Sequence, residues 1–552
     1  TERNEDGTAN YTISAQMAYK YLGKITFASQ PKRSSACGAC STSCPAACTE
    51  GWTRTTRDGL GRATEIAHFG QSAQPPDTGT NANWTGSVTT AYYANQVTVT
   101  DQAGKTRKSE TDGLGRMSKV TEAPGVSGYG FDTTYAYNVL DNLTGVTQGT
   151  QSRSFAYDSL KRLTSATNLE SGTVSYTYFN NGNLKDKTDA RGITTTYAYD
   201  GLNRNTTVNY SNTALTPDIK RFYDGAVNGK GRYWFDYSGG DYSTGLEVEH
   251  TAIDSYDEMG RPLAKRQHFK FGGGWSDAFP SNLTYDLAGG VTSQSYPAGG
   301  SRGVNYTYDT AGRLSSFTGT LGGSSSRTYA DQFTYWAGGQ MKQERFGTTT
   351  ALYHNLHYNS RMQMVDIRLS NSSADEWNWN RGALITYYSA TAVANGNPFE
   401  SDSDNNGNVI MAMHYVPLND AISSSYLGQR YYYTYDPLNR IQDVDEWQMN
   451  SAGAWSHPLY QKFLYDRWGN RTIDTTASFG YANKAFTVDT GNNRLGKPGG
   501  STCTGTKSGM CFDAVGNQTF DDYSVSAGAG ERTYDAENRM ATAAGGTDIY
   551  TY

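Results

Sequence analysis

The sequence predicts an all-β protein built from tandem β-hairpins, because one short motif recurs along most of its 552 residues. The motif is Tyr-Asp, then two further residues, then Gly or Asn, and usually Arg. Tyrosines also come in pairs two positions apart, as in Tyr197 and Tyr199. Repetition on this scale indicates a stacked architecture in which each unit packs on its neighbours.

The first element of each unit is a strand. Residues two apart on a strand share one face of the sheet, so each tyrosine pair places two rings side by side. The Tyr, Asp and Arg residues of the complete units are Tyr157, Asp158 and Arg162; Tyr199, Asp200 and Arg204; Tyr256, Asp257 and Arg261; Tyr308, Asp309 and Arg313; Tyr435, Asp436 and Arg440; and Tyr534, Asp535 and Arg539.

The second element is a tight turn that the aspartate opens. Its short carboxylate accepts hydrogen bonds from backbone N–H groups just ahead of it. Three residues after the aspartate stands Gly or Asn in most units, and both residues tolerate a positive φ. These features predict a hairpin loop built on a type I turn that closes with a left-handed residue. Lys161 occupies the closing position of one unit, where we expect either strain or a different local loop.

The third element is the arginine before the return strand. We expect its guanidinium to lie flat on a tyrosine ring of a neighbouring hairpin, a contact of about 0.5–2 kcal/mol. Hairpins in series share edges and make one long sheet. That sheet has to coil, because sheets twist and open edges attract other strands.

These motifs resemble the YD repeats of bacterial Rhs proteins, of wall-associated and toxin-complex proteins, and of the teneurin ectodomains of animals. The pattern runs from Asp58-Gly-Leu-Gly-Arg62 to Tyr534-Asp-Ala-Glu-Asn-Arg539. The resemblance implies a spiral sheet wound into a hollow shell or barrel around an internal cavity. Toxin-bearing members end the shell with an Asp-Pro-centred autoproteolysis motif and a toxin. Here Asp436-Pro437 belongs to a repeat turn, so we expect both segments to be absent and the chain to be a truncated or processed part of a larger protein.

Composition and charge argue against two classes of partner. The net charge is −6 with a pI near 5.7 and no basic stripe, so nucleic acid is not expected. No apolar run approaches the roughly 18 residues of a membrane-spanning helix. The 42 tyrosines provide large buried area with a polar tip, which suits a wall that is wet on at least one side.

The cysteines indicate an oxidising compartment. Cys37, Cys40, Cys44 and Cys48 form a cluster, and Cys503 and Cys511 flank a short loop. An even count in a polar chain favours disulfides and a secreted or cell-surface location. The second pair would join one hairpin, whereas the cluster allows three pairings. A zinc or iron–sulfur centre is the rival interpretation of the cluster, although its spacing matches neither common pattern.

The repeat density suggests four segments. Residues 1–57 lack a clear unit and are expected to form a Cys-rich cap. Residues 58–346 form the regular part of the shell, 347–430 hold degenerate repeats with insertions, and 431–552 resume the repeat.

Two local patterns could bind ligands. Asp402, Asp404 and Asn406 have the spacing of a calcium loop, but the twelfth position is Met413 and a further repeat turn is the simpler interpretation. No other cofactor is expected. An aromatic-lined wall could bind sugar rings by stacking, although packing of its tryptophans against adjacent hairpins is the simpler role. The candidates are Trp234, Trp336, Trp377 and Trp379.

Regularly placed aspartates are explained by turns, so the sequence predicts no catalytic residue and no enzyme. We expect a secreted or cell-surface shell that encloses or displays a polypeptide cargo. The alternative is an extracellular adhesion module that recognises a cell-surface glycan or protein, with self-association into a fibre through an open strand edge.

Overall fold

The structure is a computed structural model, and it describes most of the chain. The described residues are 2–3, 9–11, 13–33, 51–71, 73–213, 215–239, 249–271, 274–275, 279–296, 302–320, 325–400, 403–418, 426–480, 484–500, 503, 509–523 and 530–550. Strands make up 54% of the structure, in agreement with the predicted all-β class.

The strands follow one another at short intervals. From the N-terminus they are β1 (Glu2–Arg3), β2 (Ala9–Tyr11), β3 (Ile13–Ser14), β4 (Met17–Lys20), β5 (Ile25–Ser29), β6 (Lys32–Arg33), β7 (Trp52–Arg57), β8 (Ala63–Phe69), β9 (Trp84–Tyr93), β10 (Gln96–Thr100), β11 (Thr106–Thr111), β12 (Met117–Glu122), β13 (Phe131–Tyr137), β14 (Leu143–Gln148), β15 (Gln151–Tyr157), β16 (Leu163–Asn168), β17 (Gly172–Tyr178), β18 (Leu184–Thr188), β19 (Thr194–Tyr199), β20 (Asn205–Tyr210), β21 (Ile219–Tyr223), β22 (Tyr233–Ser238), β23 (Glu249–Tyr256) and β24 (Pro262–Phe271). They continue as β25 (Gly274–Trp275), β26 (Ser281–Tyr285), β27 (Val291–Tyr296), β28 (Arg302–Tyr308), β29 (Leu314–Thr320), β30 (Ser326–Tyr335), β31 (Met341–Phe346), β32 (Leu352–Tyr358), β33 (Met364–Ser370), β34 (Gly382–Tyr387), β35 (Met411–Pro417), β36 (Tyr426–Tyr435), β37 (Ile441–Met449), β38 (Trp455–Tyr465), β39 (Arg471–Ile473), β40 (Thr487–Asp489), β41 (Arg494–Gly496), β42 (Met510–Phe512), β43 (Gln518–Asp521), β44 (Thr533–Tyr534), β45 (Met540–Ala543) and β46 (Asp548–Ile549).

Helical structure is confined to two short segments in the described residues. The helix α1 (Ala390–Asn395) lies between β34 and β35, and a 3₁₀ turn spans Ala544–Gly546. The side chain of Ser389 caps α1 by accepting the backbone N–H of Ala392, and Gly396 ends it with a φ of 64°.

One antiparallel sheet of 34 strands dominates the fold. It runs from β4 to β39 in chain order; β5 pairs with β7 and β24 with β26, so β6 and β25 lie outside the ladder. Residues 17–57, within the segment expected to be a cap, thus contribute β4, β5 and β7. Beyond β39 the chain forms the smaller sheets β40–β41, β42–β43 and β44–β46.

Most hairpins that contain the repeat turn share one irregularity in their register. In the pair β15 and β16, Ala156 lies opposite Ser165, whereas Tyr157 lies opposite Leu163, so one extra residue is accommodated at the tyrosine before the turn. Along β15 the side chains of Phe155 and Tyr157 are half-buried and that of Ala156 is exposed. The tyrosine face is therefore the packed face of the regular strands, and small residues cover the opposite face.

The sheet is an open spiral rather than a closed cylinder. No strand pairing joins β4 to β39 in the described part of the chain. Instead, the sheet returns on itself through contacts between residues far apart in sequence. Gln30 Nε2 donates to the carbonyl oxygen of Ser360, 330 residues later, at 2.9 Å. Lys105 Nζ likewise donates to the carbonyl oxygen of Asp436, 331 residues later, at 2.7 Å.

These contacts divide the spiral into two turns. We call β4 to β31 the first turn, and β32 to the C-terminal sheets the second turn. The buried hydrophobic residues of the described chain form separate small clusters along the strip. One example is the cluster of Ile25, Phe27, Trp52, Ala67 and Phe69 on β5, β7 and β8. Each unit therefore buries apolar surface against its neighbours in the spiral, as expected for a repeat protein.

Candidate functional site

The repeat turn is organised by its aspartate. Oδ1 of Asp158 accepts hydrogen bonds from the backbone N–H groups of Leu160 and Arg162, both at 2.9 Å. Oδ2 accepts a hydrogen bond from Nε of Arg162 at 2.7 Å. The carboxylate therefore fixes the turn backbone and the arginine side chain at the same time.

The residue that closes the turn has a positive φ. The angle is 81° at Gly61, 61° at Asn203 and 64° at Lys161. The left-handed conformation costs a non-glycine residue about 1–2 kcal/mol, which explains the preference for Gly and Asn. Of the two outcomes expected at Lys161, the structure shows the common turn with a strained residue.

The same three hydrogen bonds recur along the chain. They are made by Asp58, Asp112, Asp200, Asp309, Asp436 and Asp535. Where asparagine replaces the arginine, its side-chain amide makes the third bond. Nδ2 of Asn470 donates to Asp466 at 2.7 Å, and Nδ2 of Asn517 donates to Asp513 at 2.9 Å.

In eight units the arginine lies over a tyrosine of the following hairpin. The guanidinium carbon is 4.1–5.6 Å from the ring centroid, which is the range of a cation–π contact. The pairs are Arg62 on Tyr92, Arg116 on Tyr137, Arg162 on Tyr178, Arg204 on Tyr223, Arg232 on Tyr256, Arg261 on Tyr285, Arg313 on Tyr335 and Arg440 on Tyr465.

The same tyrosine hydroxyl reaches back to the preceding hairpin. Tyr178 OH donates to the carbonyl oxygen of Leu163, the residue after Arg162, at 2.8 Å. Tyr465 OH donates to that of Ile441, the residue after Arg440, at 2.7 Å. We call this arrangement the repeat clasp: the Asp and Arg of one unit together with the Tyr of the next. The ion pair fixes the arginine within its own unit, and the ring contact and the hydrogen bond join that unit to the next hairpin.

The protonation states suit the clasp at neutral pH. The pKa values of Asp158 and Asp200 are lowered, chiefly by the hydrogen bond from the backbone N–H of the arginine four residues later. Burial raises the pKa of Tyr178, which keeps its hydroxyl a donor. The aspartates are therefore charged and the tyrosine neutral across the physiological range.

The second functional feature is the seam, by which we mean the contacts between the two turns of the spiral. In the second turn of the spiral, the repeat turns of the hairpins pack on hairpins of the first turn. They contact the return loops of those hairpins, which are the loops at the end opposite to the repeat turn. The backbone carbonyl of Asp535 accepts a hydrogen bond from Arg191 Nη1 at 3.0 Å, and that of Asp436 accepts one from Lys105 Nζ. The repeat turn therefore stacks successive layers of sheet in addition to joining two strands.

A buried polar network lies near the middle of the seam. Gln151 is 2% exposed. Its Nε2 donates to the carbonyl oxygen of Thr490 and to Oδ1 of Asn493, both at 2.7 Å. Asn493 Nδ2 donates in turn to a carboxylate oxygen of Glu170 at 2.6 Å. Satisfied buried polar groups favour one alignment of the two turns, because a shifted alignment would leave them unpaired.

Two further contacts of the seam are made by apolar side chains. Trp468, the third residue of its repeat turn, is half-buried, and its Nε1 donates to the carbonyl oxygen of Gln148 at 3.0 Å. Ala536 packs against Val208 and Tyr210 of the first turn. In the second turn of the spiral, the third position of the repeat turn is half-buried at Trp468. In the first turn of the spiral, the residue at this third position is exposed. The exposed fractions are 79% for Leu60, 75% for Leu114, 67% for Leu160, 70% for Leu202 and 69% for Met259.

The residues that the sequence suggested as calcium ligands lie in different parts of the fold. Asp404 Oδ2 accepts the backbone N–H of Ala390 at 3.3 Å. Asn406 Nδ2 donates to Asp101 and Asn439, both at 3.0 Å, so this residue belongs to the seam. Asp402 lies outside the described residues. Calcium binding stays a prediction, and within the described ranges no group of three or more His, Cys, Asp or Glu side chains is arranged to hold a metal ion.

The structure places Cys503 and Cys511 in a disulfide, with their Cα atoms 4.6 Å apart. The cluster of Cys37, Cys40, Cys44 and Cys48 lies outside the described residues.

Three of the four tryptophans proposed to stack on sugars pack inside the fold. Trp234 packs edge-on against Phe235, and Trp379 packs against Tyr415 and Tyr426. Trp336 is buried, and its Nε1 donates to the carbonyl oxygen of Leu356. Trp377 lines a cavity that is described below.

Two features were missed from the sequence. The ion pair between the aspartate and the arginine of one unit was visible as a spacing of four residues, as in Asp158 and Arg162, but only the backbone role of the aspartate was predicted. The seam had no signal, because its partners are more than 300 residues apart and carry no shared motif.

Comparison with known proteins agrees with this geometry. Residues 180–214 match the family described as RHS Repeat. No curated protein matches the sequence. A crystal structure of TcdB2-TccC3-TEV has a TM-score of 0.71 and 15% identity, over 98% of this chain and 27% of that chain. The Tc holotoxin pore of Photorhabdus luminescens, with a mutation in TccC3, has a TM-score of 0.70 and 14% identity, over 98% of this chain and 27% of that chain.

These likenesses concern the fold. The solved proteins are YD-repeat shells, and this chain spans about a quarter of their length. Among the described residues, no helix has the length and apolar character needed to cross a membrane.

Proposed function

We propose that this chain, a YD-repeat protein, forms the wall of a shell that encloses a polypeptide cargo. We also propose that it has no enzymatic role. The observation that carries the proposal is the seam. A strip of sheet whose layers stack through matched polar contacts makes a continuous wall, and a continuous wall is what containment requires.

The size of one turn supports a hollow interior. Roughly two dozen strands separate β7 from β32, which the seam brings back to the same side of the spiral. At about 4.8 Å per strand, a circular turn is roughly 35 Å across, and side chains fill only about 5 Å on each side of a sheet. Sheets closed by about 16–18 strands already leave a water-filled channel. A turn of this size therefore leaves room for a polypeptide.

The surface chemistry of the regular strands also suits containment. The face opposite the tyrosines carries exposed small residues such as Ser154, Ala156 and Thr177. Such a face offers little apolar surface to which an unfolded chain would adhere. Retention by enclosure then depends on wall continuity rather than on affinity.

We further propose that the protein acts outside the cytosol, as a secreted or cell-surface protein. The disulfide between Cys503 and Cys511 supports this location, since disulfides persist mainly in oxidising compartments. Fractionation of the native host, with immunodetection of the chain, tests it, and recovery from the reducing cytosol alone would contradict it.

The experiment for the shell function combines imaging with protection. Cryo-electron microscopy of the purified protein is expected to show a wall around a central space. A disordered reporter polypeptide fused to the chain is expected to resist protease when the wall is intact. Gln151→Ala, which removes the polar centre of the seam, should expose the reporter, whereas Ser152→Ala, its exposed neighbour, should not. Equal cleavage in all three proteins would overturn the proposal.

A further inference from the structure

The strands of the degenerate segment carry unusual residues on the face opposite the tyrosines. His357 of β32 holds the position that Ala156 and Thr177 occupy in regular strands, directly before the tyrosine that precedes the turn. Opposite His357 on β33 lies Asp366. Both residues are almost completely buried, at 0% and 1% exposure. The regular small-residue face is here replaced by a buried polar one.

Two insertions cover this face. Residues 371–381 join β33 to β34, and residues 388–410 join β34 to β35 and include α1. Ala392 of α1 packs on Tyr387, Met411 and Met413 of the sheet below it. Since regular units need no such cover, the insertions form an added layer on the wall.

Between the insertions and the sheet lies a cavity of about 400 Å³. It is lined by Asp366, Arg368, Trp377, Tyr387, Asn397 and Phe399, among others. Its volume falls within the range of about 300–1,000 Å³ that is usual for small-molecule sites. The insertion residues Trp377, Asn397 and Phe399 are only half-buried, so a ligand can reach the cavity from solvent.

The cavity combines one charged pair with aromatic walls. Arg368 Nε and Nη2 bond the carboxylate of Asp366 at 2.9 Å each, and Nη1 donates to the carbonyl oxygen of Trp377. A guanidinium has five N–H groups and a carboxylate about four lone-pair sites, so both partners keep capacity for further hydrogen bonds. The ring of Phe399 stands edge-on to that of Trp377, with centroids 5.9 Å apart.

Behind Trp377 lie polar groups without partners. The ring of His357 stacks on Trp377 with centroids 3.9 Å apart, and neither of its ring nitrogens has a hydrogen-bond partner within the described residues. The same holds for both side-chain amide atoms of Asn355, which lies opposite Arg368 on the adjacent strand. Burial lowers the pKa of His357 to about 3, so the imidazole is neutral. Buried polar groups that lack hydrogen-bond partners cost stability, and native structures keep few of them.

We propose that this cavity binds a neutral sugar ring. The charges of Asp366 and Arg368 cancel, so a charged ligand would leave one charge unbalanced in a buried site. Paired hydroxyls of a pyranose can donate to the carboxylate and accept from the guanidinium at the same time. The apolar face of the ring can pack against the aromatic walls. This binding role is separate from the shell function and does not depend on it.

The test measures the binding of glucose, galactose, mannose and N-acetylglucosamine to the whole purified chain by saturation-transfer difference NMR. We expect at least one of them to bind. Asp366→Asn and Trp377→Ala should each weaken that binding at least tenfold. Trp379→Phe is the matched control, because Trp379 lies two residues away and packs on Tyr415 and Tyr426 outside the cavity lining.

Thermal unfolding of each variant separates a lost site from a lost fold. If Asp366→Asn does not fold, Tyr387→Phe replaces it, because it keeps the wall and removes one hydroxyl from the cavity. The proposal is overturned if none of the four sugars binds at millimolar concentration. It is equally overturned if binding survives Trp377→Ala in the folded protein.

Discussion

Truncation of Trp468 to alanine should open the seam. The variant loses the hydrogen bond from Nε1 to the carbonyl oxygen of Gln148, worth about 0.5–1.5 kcal/mol net. A tryptophan side chain buries about 150–250 Å² when covered, and Trp468 is half-buried, so roughly 100 Å² returns to water. At about 25 cal/mol per Å² this adds about 2–3 kcal/mol. Trp468→Ala should therefore weaken the local contact by about 3–4 kcal/mol.

Hydrogen–deuterium exchange is the assay that locates this effect. Backbone amides in β14 and β15 should exchange faster in Trp468→Ala, although they lie some 320 residues away in sequence. Leu160→Ala is the matched control, because Leu160 has the same position in its repeat turn but is 67% exposed. It should change the stability by less than about 0.5 kcal/mol. Equal effects of the two substitutions, or faster exchange only around residue 468 itself, would refute the stacking of the two turns.

Three further predictions concern the repeat turn and the disulfide. Lys161→Gly should raise the free energy of unfolding in urea by about 0.5–1 kcal/mol, because residue 161 has a φ of 64° and glycine adopts that angle without strain. An unchanged urea midpoint would contradict backbone strain at Lys161. The lowered pKa values of Asp158 and Asp200 stabilise the fold above the ordinary aspartate pKa of 3.8, and this contribution is lost as the pH falls through the folded-state values. Circular dichroism should therefore show a loss of stability as the pH falls below about 4, and a stability that is unchanged down to about pH 2 would be inconsistent with charged clasps. Cys503→Ser should lower the free energy of unfolding by about 2–3 kcal/mol, measured against the oxidised wild type, and reduction of the wild type should give the same value.

Local chemistry made the hairpin predictable. The pairing of tyrosines at period two, the aspartate that opens the turn and the Gly or Asn that closes it each depend on interactions within a few residues. For this reason Asp158 and Asn203 have the backbone roles that their types predict. Even Lys161 adopts the common turn, because its neighbours fix the geometry more strongly than its own preference opposes it.

Long-range structure was not accessible in the same way. Gln151 and Thr490 lie on surfaces that meet only after the strip has completed a turn, and neither residue has a distinctive sequence context. The cavity shows the same limit. The sequence marked Trp377 as one of four tryptophans, but only the fold brings it together with Asp366 and Phe399.

The central claim is that the repeat turns in the second turn of the spiral pack on the return loops in its first turn. A photo-crosslinking residue placed at the exposed Thr490 tests it directly in the purified protein. Peptide mapping by mass spectrometry should then find Thr490 linked within the same chain to the peptide that contains Gln151. Links confined to residues adjacent in sequence, or formed only between separate molecules, would contradict the stacked spiral.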